Sequence, residues 1–99
     1  MKLRELLEVI KEKKLSKEQV EDYYADLTHI FSAICLELAD VKKREAFYFI
    51  DHKLDSDVGT KRAWRVTPDG QRMLELEAYK NIIPRELASL KNRIYSLIM

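Results

Sequence analysis

The longest stretch of the chain without Gly, Pro or a turn cluster runs from Ser16 to Leu54. Along it, apolar residues recur at alternating spacings of three and four, the pattern of a helix that presses one stripe against a partner. A helix of this length rises roughly 57 Å, so a compact globule of 99 residues cannot cover it. The row consists of Val20, Tyr24, Leu27, Phe31, Ile34, Leu38, Val41 and, after Glu45, Tyr48.

A second row with the same spacing lies near the C-terminus. The clearest turn signal between the two rows is the segment from Asp55 to Thr60, where Asp, Ser and Gly favour local turns over helix. The sequence therefore predicts a long helical hairpin with its turn at this segment. The second row consists of Met73, Leu76, Ile83, Leu87, Leu90, Ile94 and Leu97, interrupted by Lys80.

Two helices precede the predicted turn. An amphipathic pattern over about residues 2–13 predicts a short first helix, which has to dock on the hairpin because isolated helices of this length are marginal in water. Ser16 and Gln19 have the spacing of a capping box. The second helix is therefore predicted over about residues 16–54.

The start of the last helix has two interpretations. Thr67 followed by Pro68 suits an N-cap with proline at the first helical position, so a helix can begin at Pro68. We favour the alternative, a helix over about residues 60–98 with a bend at Pro68, because the proline ring removes one backbone bond. Pro84 predicts a second bend, near Ile83.

Further apolar residues lie outside the two rows, and a stripe of this width favours more than one neighbouring helix. We predict a single all-α, coiled-coil-like domain over residues 1–99 that forms a homodimer or higher oligomer, with two hairpins in a four-helix core. The predicted oligomer seam consists of Val20, Leu27, Phe31, Ile34, Leu38, Val41, Tyr48, Leu76, Ile83, Leu87, Leu90, Ile94 and Leu97. The additional apolar residues include Tyr23, Ile30, Cys35, Phe47, Phe49, Ile50, Tyr79, Ile82, Tyr95 and Ile98.

The net charge and the cysteine content limit which partners and which cellular compartment the sequence favours. Eighteen basic and 17 acidic residues leave a net charge of +1, so no global field attracts nucleic acid or anionic lipid. A single cysteine, Cys35, forms no internal disulfide, and we interpret it as a small apolar filler. The sequence has no apolar run of membrane-spanning length and no signal-peptide pattern, so we predict a cytoplasmic protein without a membrane partner.

Two carboxylate pairs resemble a catalytic motif. Glu18-x-x-Glu21 and Glu37-Leu-Ala-Asp40 are similar to the ExxE and ExxD pair of MazG-like and dimeric dUTPase all-α nucleotide pyrophosphatases, and the resemblance implies Mg²⁺ ligation beside a triphosphate. In that family the pairs lie on different antiparallel helices, whereas residues 22–36 contain no break here. On one helix the pairs stand roughly 28 Å apart. We therefore predict a non-enzyme and keep the pyrophosphatase as a second alternative.

One of the two histidines follows a carboxylate at a spacing that is found in metal sites. His29 follows Asp26 by three residues, as in carboxylate-bridged metal bundles, but such a site needs the motif from two helices. His52 has Phe49 at the corresponding position. We predict no metal and no cofactor.

A basic group around the predicted turn is the candidate binding surface. Arg and Lys beside an aromatic ring suit phosphate contacts and base stacking, so nucleic-acid binding is one interpretation. In the other, Trp64 closes the end of the core and the cations balance nearby aspartates. The candidate residues are Lys53, Lys61, Arg62, Trp64, Arg65 and Arg72, preceded on the long helix by Lys42, Lys43 and Arg44.

More than half of the chain, from Ala39 to Ile98, resembles small helical accessory proteins of tailed bacteriophages. Those proteins have a charge-rich long helix, a short Gly- or Thr-containing break, and a last helix ending in a pattern like Leu87-x-x-Leu90-Lys91-x-Arg93-Ile94. The resemblance implies an accessory protein in the host cytoplasm, without assigned site residues. We therefore predict a non-catalytic adaptor that binds itself and a further protein through a helical surface, with nucleic-acid binding as the alternative.

Overall fold

A computed structural model describes residues 2–12, 14–52 and 56–98 of the chain. Within these ranges the regular structure is entirely helical, and the long α2 packs against the long α4 as a hairpin. The predicted all-α class and helical hairpin are confirmed. The helices are α1 (Leu3–Ile10), α2 (Lys17–Asp51), α3 (Asp57–Arg65) and α4 (Pro68–Ile98). No helix in the described part of the chain combines the length and apolar composition that a membrane span requires.

The predicted capping box starts α2. The backbone N–H of Ser16 donates to Gln19 Oε1 at 2.9 Å, and the backbone N–H of Gln19 donates to Ser16 Oγ at 3.2 Å. This reciprocal pair satisfies two amide donors at the helix start. From Lys17, α2 continues without a break to Asp51, and residues 53–55 lie outside the described part of the chain.

The favoured interpretation of the last helix, one helix over about residues 60–98, is wrong. The chain instead forms two helices, with α3 ending at Arg65 and α4 beginning at Pro68. Ser56 caps α3 by accepting a hydrogen bond from the backbone N–H of Gly59 at 3.0 Å. This cap draws residues 57–60, which we expected in the turn, into the first turn of a helix.

Thr67 determines where α4 begins. Its hydroxyl accepts a hydrogen bond from the backbone N–H of Gly70 at 3.0 Å and donates one to the carbonyl of Trp64 at 2.6 Å. One side chain therefore caps the start of α4 and the end of α3, while Pro68 occupies the first helical position without losing a needed donor. The Gln71 amide completes the corner by donating to the Arg65 carbonyl at 2.6 Å.

The proline inside α4 does not end the helix. α4 continues through Pro84 to Ile98. Because Pro84 has no N–H, the Lys80 carbonyl lacks its usual helical donor. The bend near Ile83 stays a prediction.

The contacts of the chain group into two compact units, Met1–Ala33 with Lys80–Met99 and Ile34–Tyr79. In the first unit, α1 packs with the beginning of α2 and the end of α4. Arg93 anchors α1 by donating from Nη1 to the carbonyls of Ile10 at 2.7 Å and Glu12 at 3.3 Å. A cation at this position also suits the negative end of the helix dipole. The buried side chains of this unit are Leu6, Ile10, Val20, Leu27, Ile83 and Leu90.

In the second unit, α3 packs with the end of α2 and the beginning of α4. Two ion pairs join α2 to α4. Glu37 pairs with Arg72 at 2.8 Å, and Arg44 pairs with Asp69 at 2.9 Å. The lower-numbered partner on α2 meets the higher-numbered one on α4, as antiparallel helices require. The buried side chains of this unit are Ile34, Leu38, Val41, Thr60, Trp64, Met73 and Leu76.

The apolar rows of the long helices are covered largely within one chain. Most of the positions that we predicted as an oligomer seam are buried by helices of the same chain, because each row folds onto the other. The buried positions are therefore not accessible to a second copy, and the homodimer stays a prediction. Val20, Leu27, Ile34, Leu38, Val41, Leu76, Ile83 and Leu90 are buried, Phe31, Tyr48, Leu87 and Ile94 are half-buried, and Leu97 is half exposed.

Gly70 provides a test of the corner between α3 and α4. A Cβ at this position would overlap the carbonyl oxygen of Trp64 and lie 2.7 Å from its carbonyl carbon. Both are backbone atoms, so Gly70→Ala requires a backbone shift, which outweighs the gain of about 0.5–1 kcal/mol from replacing a helical glycine. We expect a loss of about 2 kcal/mol in the free energy of unfolding, measured by urea denaturation.

The matched control is Asn81→Ala, at an exposed position of α4. Because alanine has the higher helix propensity, this variant should unfold at the same or slightly higher urea concentration. Equal stability of Gly70→Ala and the parent chain would contradict the close approach of the two helices.

Candidate functional site

Three cations of the predicted basic group lie together on α3. Thr60 and Trp64 turn inward, and helical spacing leaves Lys61, Arg62 and Arg65 exposed. None of the three cations forms an ion pair with a described residue. Arg62 and Arg65 lie in the last turn of α3, where a cation also interacts favourably with the helix dipole, so their position has a structural explanation as well.

Trp64 is a core residue. It is 2% exposed, and its indole packs against the ring of Tyr48 with centroids 5.3 Å apart. Tyr48 in turn stacks on His52, with centroids 4.3 Å apart and planes 14° from parallel. Trp64 therefore closes the end of the core, as in our second interpretation, and offers no open face for stacking with a base.

The indole of Trp64 carries a buried donor. Its Nε1–H is inaccessible and has no acceptor among the described residues. Burying a donor in this way carries a penalty of about 1–3 kcal/mol. Burial of the large ring offsets that penalty, since an aromatic side chain removes more apolar surface from water than most other residues.

Two further arginines of the predicted group hold helices together. Arg72 donates through Nε and Nη2 to the two carboxylate oxygens of Glu37, at 2.8 and 3.2 Å, and through Nη1 to Glu75 at 3.0 Å. The hydrogen bond to Glu37 is the main reason that the pKa of Arg72 is raised. A raised pKa favours the charged form, so this contribution is present at every pH below the ordinary arginine pKa. Arg44 is similarly paired with Asp69, and Lys53 lies outside the described residues.

A cavity of 220 Å³ in the second unit lies beside these cations. Its walls carry both signs of charge, and two carboxylates offset most of the positive potential of the cations. An anionic ligand is therefore not strongly favoured over a cationic one. The lining residues are Lys42, Lys61 and Arg65, then Glu45 and Glu77, with Trp64, Met73 and Leu74.

The carboxylates of the pyrophosphatase motif do not have the helical arrangement that the motif needs. α2 runs without a break through residues 22–36, where that family has a turn between two helices. Glu37 is also engaged by Arg72 rather than turned to an open site. Across the described part of the chain, no group of three or more His, Cys, Asp and Glu side chains is placed to hold a metal ion.

The histidines, Asp26 and Cys35, which were considered as metal or catalytic residues, lie in separate environments. Asp26 and His29 are exposed on α2, and Cys35 is a half-buried free thiol. His52 stacks on Tyr48, and its Nδ1 lies 3.3 Å from the Tyr48 carbonyl. These residues do not form a catalytic constellation with one another.

The first unit contains a surface groove that the sequence analysis missed. Its volume is 710 Å³, it opens broadly to solvent, and most of its surface is apolar. The available signal was three small side chains on α4, Ala88, Ser89 and Ser96, which follow one another at spacings of one and seven. The lining residues are Leu15, Val20 and Leu97, the small Ala88, Ser89 and Ser96, and the polar Arg85, Asn92 and Arg93.

The single tryptophan of the chain reports on its own burial. Because Trp64 is enclosed beside Tyr48, we expect blue-shifted fluorescence and little quenching by acrylamide in the folded protein. Both properties should change on unfolding in urea. A single-stranded oligonucleotide should not quench the emission by stacking, and strong quenching at saturation would contradict the buried position.

Comparison with protein-family models, curated proteins and solved structures found no match to this chain. The resemblance to phage accessory proteins therefore stays a prediction, and the geometry of the two units is the basis for proposing a function.

Proposed function

We propose that the protein is a non-catalytic adaptor that holds an amphipathic helix of another protein in the groove of the first unit. The observation that supports this proposal is the groove itself, whose mostly apolar lining includes three small side chains and two arginines. The proposal retains the accessory role that the phage resemblance implies, with action in the cytoplasm, or in the host cytoplasm for a viral protein.

The shape of the groove suits a helix. Ala88, Ser89 and Ser96 add little bulk to the surface of α4, so a partner helix can approach the backbone closely, and Leu15 and Val20 add apolar lining. Grooves of this kind bind the apolar face of an amphipathic helix through residues spaced by three and four. A small ligand is a poorer fit, since an open groove would leave much of its surface in water.

The charges of the groove suit a partner with carboxylates. Arg93 is already held in place by its hydrogen bonds to the end of α1, so little conformational freedom is lost when it meets an anionic group. Arg85 is exposed and forms no ion pair with a described residue. We therefore propose a partner helix with one apolar face flanked by Asp or Glu.

A display library of helical peptides, selected on the immobilised protein, tests this proposal. We expect enrichment of amphipathic peptides with acidic flanks. Arg85→Glu should weaken binding of the best peptide by at least about tenfold, because it places like charges together. Ser89→Trp should abolish binding by filling the groove. Isothermal titration calorimetry measures both effects.

The matched control is Lys91→Glu, which makes the same charge change at an exposed position of α4 that does not line the groove. Peptide affinity should stay within about twofold of the parent value. Equal losses for Arg85→Glu and Lys91→Glu, or selection of peptides without acidic residues, would contradict the proposal.

A second candidate function is nucleic-acid binding by α3. The observation that favours it is the exposure of Lys61, Arg62 and Arg65 on one short helix without ion pairs to described residues. With Trp64 buried, binding would rest on phosphate contacts, so it would be strongly salt-dependent and show little sequence preference.

Fluorescence anisotropy with a labelled single-stranded oligonucleotide tests the second candidate. Three phosphate contacts predict a slope of about −2 for log affinity against log salt concentration. The triple change Lys61→Glu, Arg62→Glu and Arg65→Glu should abolish binding. The control triple, Lys11→Glu, Lys14→Glu and Lys91→Glu, changes exposed cations of the first unit and should retain most of the affinity. Equal losses in both variants would reject a site on α3.

A further inference from the structure

The second unit leaves a row of apolar side chains uncovered on α2. Leu36 is 71% exposed, Phe47 67% and Ile50 74%. Helical geometry places them on the side opposite the buried Leu38 and Val41. Single exposed apolar residues are common, but three large ones along one helix face form a surface that a partner can cover.

Two charged residues lie within the same row. Asp40 and Lys43 are exposed, and neither forms an ion pair with a described residue. With the apolar residues they form the outer row, whose spacing of four, three, four and three is that of a coiled-coil seam. The outer row consists of Leu36, Asp40, Lys43, Phe47 and Ile50.

We propose that two copies of the chain associate through their outer rows, with the two α2 helices antiparallel around a two-fold axis. In this register, Leu36 faces the partner's Phe47, and Asp40 faces the partner's Lys43. A two-fold axis repeats each contact, so the order of apolar, acidic, basic and apolar residues is complementary to itself.

The charges distinguish this arrangement from the alternatives. A parallel pair in register would place Asp40 beside the partner's Asp40 and Lys43 beside the partner's Lys43, and like charges at seam positions oppose association. The antiparallel register replaces both clashes by attraction. A different protein would need the same alternation on its own helix, whereas a second copy already has it.

The amount of surface predicts a weak dimer. Three large apolar side chains from each copy bury less area than the roughly 800 Å² per partner of a stable interface. Dissociation constants in the micromolar range are therefore expected. The outer row belongs to the second unit and the proposed helix groove to the first, so the two proposals are independent and fail separately.

Sedimentation equilibrium of the full chain at a series of concentrations and low salt tests the proposal. The parent chain should form a dimer. Asp40→Lys and Lys43→Asp should each weaken it by at least about tenfold, because either change sets like charges opposite each other twice. The double variant Asp40→Lys with Lys43→Asp should restore the dimer. An equimolar mixture of the two single variants should form a heterodimer.

Two further variants distinguish association through the outer row from non-specific association of exposed apolar residues. Phe47→Ala should abolish the dimer, while Ile82→Ala, at an exposed apolar position of the first unit, should leave it unchanged. Circular dichroism verifies that each variant keeps its helical fold. A monomer at concentrations up to about 1 mM would overturn the proposal. A dimer that is insensitive to the charge changes would also overturn it.

Discussion

Coverage of the apolar row on α2 is the constraint on which the rest of the structure depends. Within each unit, seam residues of α2 lie buried against α4 and a short helix, α1 in the first unit and α3 in the second. In the second unit, the exposed pairs Glu37–Arg72 and Arg44–Asp69 form only in the observed register and add a small preference for it. Apolar burial thus supplies most of the stability, and the exposed ion pairs add a smaller contribution.

The corner between α3 and α4 determines which residues remain for function. Thr67 caps both helices, Gly70 allows their backbones to approach, and Trp64 is drawn into the core beside Tyr48. The surface of α3 then keeps its three cations, Lys61, Arg62 and Arg65, without an exposed aromatic ring beside them. The same corner explains why α3 is a separate helix, because a single continuous helix could not turn the Trp64 side chain inward while α4 runs along α2.

The two units present different chemistry to solvent. The first has a groove with an apolar floor and arginines, and the second has an exposed row in which apolar residues enclose a carboxylate and an ammonium group. Both surfaces are built on helices whose other faces are buried, so their shape is held by the core. Both surfaces have the apolar character of surfaces that bind helices in other proteins, and they are the basis of the two proposals made above.

The sequence by itself determined the helical class, the start of α2 with its capping box at Ser16, and the hairpin, because periodicity and caps are local properties of the chain. It also offered both interpretations of Pro68 and of Trp64, but the choice depended on contacts between distant residues. Only the tertiary structure separated α3 from α4, committed Arg44 and Arg72 to ion pairs, and buried most of the seam positions within one chain. The physical reason is that these choices depend on contacts between residues far apart in the sequence. A free cation and a paired cation have the same local sequence pattern. So do an apolar row that packs within its own chain and one that packs against a second copy.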